Sequence, residues 1–109
     1  MIKKTFKINE IEIGTEKTGG CFTDSSYIVV AIPSYKEKIK IKEEIAKIQT
    51  GDDMGNFELI NAMVVEVACE SIDGDLITDF DNLLCYRDGT LVIKFISDMM
   101  IHGFVPKKT

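Results

Sequence analysis

Four aspartates, Asp73, Asp75, Asp79 and Asp81, fall within nine positions of SIDGDLITDFDNL, residues 71–83. Carboxylates this dense could hold a cation or act as an acid–base pair. An EF-hand calcium loop needs oxygen ligands at its first, third and fifth positions and a bidentate Glu at the twelfth. Counting from Asp73, Gly74 already fills the second position, the fifth is Ile77 and the twelfth is Leu84. The calcium pattern fails on all three. Acid–base work needs surroundings that push two carboxyl pKa values apart, and no histidine lies near. The stretch reads instead as punctuation. Asp73-Gly74 makes a tight turn. Thr78 caps a following helix with Asp81 in the reciprocal position, and Asp79 and Asp81 sit against its positive end. Ile77 can pack on Asn82 or Leu83 as a hydrophobic staple.

The remaining reactive side chains are few. Cys21, Cys69 and Cys85 are odd in number and form no C-x-x-C pair. Cys69 and Cys85 lie in apolar runs, where a free cysteine behaves as a small hydrophobe. All three are expected to be reduced thiols of a cytosolic protein. His102 is the single histidine, and it is expected near the C-terminal end of a helix, where the dipole favours it. A thiol- or metal-dependent enzyme would have to bring Cys21, Cys69, Cys85 and His102 together without any paired spacing. Gly19-Gly20 lacks the lysine and spacing of a phosphate loop and reads as a linker. Arg87-Asp88-Gly89 has the letters of an integrin-binding tripeptide, but nothing in the sequence supports the extracellular exposure it needs. No catalytic, cofactor or metal residue is therefore assigned.

Charge narrows the partners. Residues 1–50 carry nine Lys against seven Asp or Glu, while residues 51–109 carry four Lys or Arg against eleven. The net charge is −5. A nucleic-acid binder needs a basic face to displace counterions. The one basic run, 36-KEKIKIK-42, is diluted by Glu37, Glu43 and Glu44, so nucleic acid is not expected. The start MIKKTFKINE has no apolar core of a signal peptide, and no apolar run approaches the ~20 residues that span a bilayer. The 109 residues fit one domain, able to bury roughly two-thirds of its unfolded surface.

The elements expected to position these residues give an α+β chain: an N-terminal β-hairpin and a third strand, then three to four helices. TFKINEIEI (5–13) alternates on both sides of Asn9-Glu10, so a two-residue hairpin would pair Ile8 with Ile11 and Phe6 with Ile13. Residues 14–26, rich in Gly, Ser and Thr, form a long loop. YIVVAI (27–32) reads as a strand covered on both sides. After Pro33, Ser34 and Glu37 form a capping box, and a helix spans 35–49, ended by Gly51. Tyr35, Ile41, Ile45 and Ile48 supply its apolar side and the lysines its polar one. Asn56 caps a second helix, 57–70, apolar on nearly every side, as a central core helix would be. The last helix, 91–104, is capped by Asp88 or Thr90 and ended by Gly103. Residues 33–105 form the helical part and 106–109 a frayed tail. Met99, Met100, Ile101, Phe104 and Val105 gather into an apolar cluster that suits either the core or an adaptable partner surface.

This order of elements, with 32-IPSYKE-37 and 77-ITDFDNL-83, resembles the tail assembly chaperones of tailed bacteriophages and related small phage tail proteins. The likeness covers roughly residues 27–105. It implies a non-enzymatic protein without cofactor, located in the host cytoplasm, that binds tape measure and tail tube proteins, with self-association into a homo-oligomer left open. The apolar cluster of Met99, Met100, Ile101, Phe104 and Val105 is the candidate surface for such partners. The alternative it implies is a structural component of the tail or baseplate, which stays in the virion.

Overall fold

The computed structural model describes residues 2–47, 51 and 53–102, with the backbone alone at 53 and 100–102. In chain order the elements are β1 (Ile2–Lys7), a 3-10 turn (Ile8–Glu10), β2 (Glu12–Ile13), β3 (Glu16–Lys17) and β4 (Tyr27–Ile32). There follow α1 (Tyr35–Lys47), α2 (Asp53–Asn61), β5 (Val64–Glu70), β6 (Leu76–Ile77), α3 (Phe80–Leu83) and α4 (Arg87–His102). The chain is α+β: a four-stranded antiparallel sheet of order β1-β4-β5-β6, a small β2-β3 ribbon, and helices.

The N-terminal strands are present, but the expected hairpin is not the pairing made. β1 pairs with β4 in an unbroken register, Ile2 opposite Ile32 through Lys7 opposite Tyr27. β2 pairs with β3 instead. A turn does form at Asn9-Glu10, where the Ile11 N–H donates to the Ile8 carbonyl at 3.2 Å. Among the described residues only glycines have positive φ, so Asn9 does not supply the left-handed turn that folds a strand back on itself. The chain veers away, and Gly14, at φ +59°, makes the real two-residue turn between Ile13 and Glu16. The face assignment survives all the same: Ile8 and Ile11 are buried, and Phe6 and Ile13 pack against the core.

The larger correction concerns residues 57–70. α2 ends at Asn61 and the chain becomes β5. Asn56 therefore lies inside α2 rather than capping it. Val64, Val65 and Val67 are β-branched and favour the pleated conformation. Pairing with β4 then outweighs the helical continuation. Val29 faces Glu66 while Val30 faces Val64, so Val65 is the extra residue of a bulge. β4 is not covered on both sides: only Ile28 and Val30 are fully buried along it.

The core lies on one face of the sheet. Ile28, Val30, Val67 and Cys69 of the strands meet Ile60 of α2, Phe80 and Leu83 of α3, and Leu91, Val92, Ile96 and Met99 of α4. The capping box of α1 forms as the sequence predicts. The Glu37 N–H donates to Ser34 Oγ, and the Ser34 N–H donates to the Glu37 carboxylate, both at 3.2 Å. The Ser34 N–H first, and the Ser34 hydroxyl second, hold the Glu37 carboxyl below its ordinary value. α1 has no fully buried residue; Ile41 and Ile45 touch the core while Tyr35 is 80% exposed. Ile48 and residue 49, with the stretch between Lys47 and the expected terminator Gly51, lie outside the described residues; Gly51 itself has a φ of +89°.

α4 begins at Arg87, four residues earlier than the apolar pattern, and Asp88 and Thr90 lie within it. Gly89 explains how α3 and α4 approach. A Cβ there would strike the Leu83 carbonyl oxygen and sit 2.7 Å from Leu84 Cα. Gly→Ala in a helix ordinarily stabilises by about 1 kcal/mol. Gly89→Ala is expected to do the opposite, destabilising by about 2 kcal/mol through overpacking and lowering Tm by on the order of 10 °C in thermal melts.

Candidate functional site

The acidic stretch that opens the question of chemistry folds as turn and cap. The Gly74 N–H donates to the Ser71 carbonyl, with Gly74 at φ +94°. The Asp75 N–H donates to Ser71 Oγ at 3.0 Å. The helix cap is Asp79 rather than Thr78: its carboxylate accepts from the Asn82 N–H at 2.8 Å and from the Asn82 amide at 3.1 Å. Thr78 instead follows β6, a strand absent from the sequence reading. Among the described residues no three His, Cys, Asp or Glu side chains gather as a metal site would require.

The cysteines divide by depth. All three are free; Cys69 is buried, Cys21 half-buried and Cys85 exposed. Cys85 thus lies at the surface, not in the apolar surroundings its neighbours suggest. Burial pushes the Cys69 thiol up to about 11, against a lesser opposing effect of backbone hydrogen bonds. A thiol held in its protonated form is a poor nucleophile. Met99 belongs to the core. Met100, Ile101 and His102 are on α4 with side chains outside the description, and Phe104 and Val105 lie outside the described residues.

The one buried aspartate among the described residues does something the spacing did not show. Asp88 is 3% exposed. Its two carboxylate oxygens accept from the Gly19 N–H at 2.6 Å and the Cys21 N–H at 3.1 Å. The Arg87 guanidinium donates to the Gly19 carbonyl at 3.3 Å. The Gly-rich segment is therefore a fixed strap on the first turn of α4. Beside it opens a groove of about 470 Å³, lined in part by Glu16, Lys17, Arg87, Thr90 and Lys94. Two of its cations are committed to neighbours, Lys94 to Glu16 at 3.4 Å and Lys17 to Glu12 at 3.8 Å. These exposed pairs leave a groove of balanced charge rather than an anion cradle.

The second surface is the sheet's outer face. The ladder places Lys3, Thr5 and Lys7 of β1, Tyr27, Val29 and Ala31 of β4, Glu66 and Ala68 of β5, and Leu76 of β6 on that side. None of these belongs to the core cluster. Leu76 is 77% exposed and nearby Ile72 69%. The Tyr27 hydroxyl donates to the Glu66 carboxylate at 2.7 Å, and that hydrogen bond and the adjacent negative charge raise the Tyr27 pKa. The face is thus a small apolar centre between lysines on one strand and glutamates on another. A strand rule could have found it, since V-E-V-A-C-E alternates once residues 64–70 are read as β.

No family model, curated protein or solved structure matches the chain.

Asp88→Ala should expose the strap: loss of a charged acceptor from two amides costs about 2 kcal/mol, and hydrogen exchange at Gly19 and Cys21 should accelerate more than the global loss of stability explains. Thiol labelling gives a second check. In the folded protein a disulfide reagent should modify Cys85 first, Cys21 more slowly, and Cys69 only on unfolding. Because the folded Cys69 pKa lies above its unfolded value, its contribution to stability is complete below about 9 and is lost as pH rises from 9 to about 11. Denaturant midpoints measured across that window should fall in the wild type and stay flatter in Cys69→Ala.

Proposed function

We propose that the protein is an assembly factor of a bacteriophage tail, working in the host cytoplasm through contacts with tape measure and tail tube proteins. The observation that carries this reading is the outer face of the sheet. Tyr27, Val29, Ala31 and Ala68 form an apolar centre that the chain's own core does not use. Such a face suits a partner that has apolar surface to cover before assembly. The residues best equipped for chemistry are occupied structurally: Asp88 holds the strap, Asp79 caps α3, and Cys69 is buried as a protonated thiol. The resemblance of 32-IPSYKE-37 and 77-ITDFDNL-83 to tail assembly chaperones points to the class of partner.

Pull-down of tape measure and tail tube proteins on the purified chain tests the reading. Capture of at least one is the expected result, and capture of neither overturns it. Ala31→Glu places a carboxylate opposite Lys3, a favourable cross-strand pair, while adding charge to the apolar centre. It should leave Tm within a few degrees yet weaken capture by about tenfold or more, as charge at the centre of an interface does. Mass spectrometry of purified particles separates assembly factor from tail component: the factor is absent from the finished particle, the component present.

A further inference from the structure

We propose that β1 is a docking edge for an extended, acidic segment of another protein, which adds to the sheet as a fifth strand. The inference does not depend on which assembly the protein serves. Among the described residues β1 is a terminal strand, paired with β4 on one side only. The ladder tells which of its backbone groups are free. One register step beyond Lys7, the Ile8 N–H donates to the Ser26 carbonyl at 3.0 Å. Residues of an antiparallel pair alternate between facing the partner and facing away. Ile2, Lys4 and Phe6 therefore face β4, and the N–H and C=O groups of Lys3, Thr5 and Lys7 point outward. The far side of β4 agrees: Ala31, opposite Lys3, sends its N–H away to the Met63 carbonyl at 2.8 Å. The edge has no proline and no bulge along its six residues, so nothing in its backbone blocks an incoming strand.

Charge selects the occupant. IKKTFK carries three lysines and no acid. Among the described residues none of the three forms an ion pair; Lys4 lies over the Phe6 ring at 5.4 Å. A second copy is disfavoured. Antiparallel self-pairing centred on Thr5 sets Lys3 against the other copy's Lys7 twice, and like charges directly opposite are destabilising. A segment with carboxylates at alternate positions meets Lys3 and Lys7 on the outer face. Apolar residues between them would continue the side of Ile2 and Phe6. Lysines on an edge also serve to prevent aggregation. That role predicts rejection of every added strand, whereas docking predicts acceptance of an acidic one.

The probe is a capped seven-residue peptide alternating Glu and Val, with its Lys-for-Glu counterpart as control, titrated into the labelled full chain and followed by amide NMR. The Glu peptide should bind at least about tenfold more tightly than the Lys peptide, weaken as salt rises, and slow hydrogen exchange selectively at Lys3, Thr5 and Lys7. Thr5→Pro removes an outward N–H and no ladder bond, so it should keep the fold and lose the peptide. Lys4→Pro removes a ladder bond and should destabilise the sheet, which checks the inward and outward assignment separately. Equal binding of both peptides, no protection along β1, or binding undiminished in a folded Thr5→Pro variant would overturn the proposal.

Discussion

The contact on which most of the N-terminal half depends is the Asp88 carboxylate with the backbone amides of Gly19 and Cys21. It joins residues 69 and 67 positions apart, so the folded chain closes a long loop to make it. Hydrogen bonds to an ionised acceptor are among the stronger ones, and here both oxygens are used. Once residues 19–21 are fixed, the next ones follow. The Ile72 N–H reaches the Cys21 carbonyl at 3.1 Å, and the Thr23 N–H reaches the Glu70 carbonyl at 2.9 Å. Phe22 between them is driven into the core, 2% exposed, with its ring 5.1 Å from that of Tyr86. A segment that reads as loose linker thus extends the sheet past β5, with Phe22 bridged to Ser71.

Ser26 finishes the work that Asp88 begins. It is 1% exposed, and its hydroxyl accepts from the Glu70 N–H at 2.9 Å while donating to the Glu70 carbonyl at 3.3 Å. A buried hydroxyl without partners would be costly; this one closes both backbone groups of a single residue. Asn9 ties the far end of the strap as well, its amide donating to the Phe22 carbonyl at 3.1 Å and to Asp24 at 2.9 Å. Polar side chains therefore supply, at the sheet's end, the backbone hydrogen bonds that regular pairing no longer provides.

What could be read from the sequence was whatever local chemistry decides. Ser34 and Glu37 cap a helix because they are three residues apart. Gly74 turns because Asp-Gly turns. Ile41 and Ile45 share the side that meets the core because the helical period puts them there. Where the sequence misled, a distant partner made the decision. Residues 57–70 are apolar on so many sides that helix and strand both fit, and no Gly or Pro separates Asn61 from Val64 to mark the switch. The Phe6, Ile8, Ile11 and Ile13 face was legible; the strand that β1 would pair with was not, since β4 lies some twenty residues further on. Asp88 was legible only as a cap, because its acceptors' partners are backbone amides, which have no residue signature.

The two faces of β5 show why the outer surface escaped notice and why it holds its shape. Val67 and Cys69 point to the core, Glu66 and Ala68 away from it. Read as a helix, those four merge into one apolar run; read as a strand, they split into two chemistries. Glu66 does not simply solvate the outer side. It sits opposite Val29 and takes a hydrogen bond from Tyr27, the diagonal neighbour on β4. Diagonal pairs are within reach of an aromatic side chain, so the tyrosine ring is held along the sheet beside Val29 instead of swinging free. An ordered ring loses less entropy when another surface covers it. The same hydrogen bond that keeps the Tyr27 proton in place thus pre-shapes the apolar centre between the lysine edge and the glutamates.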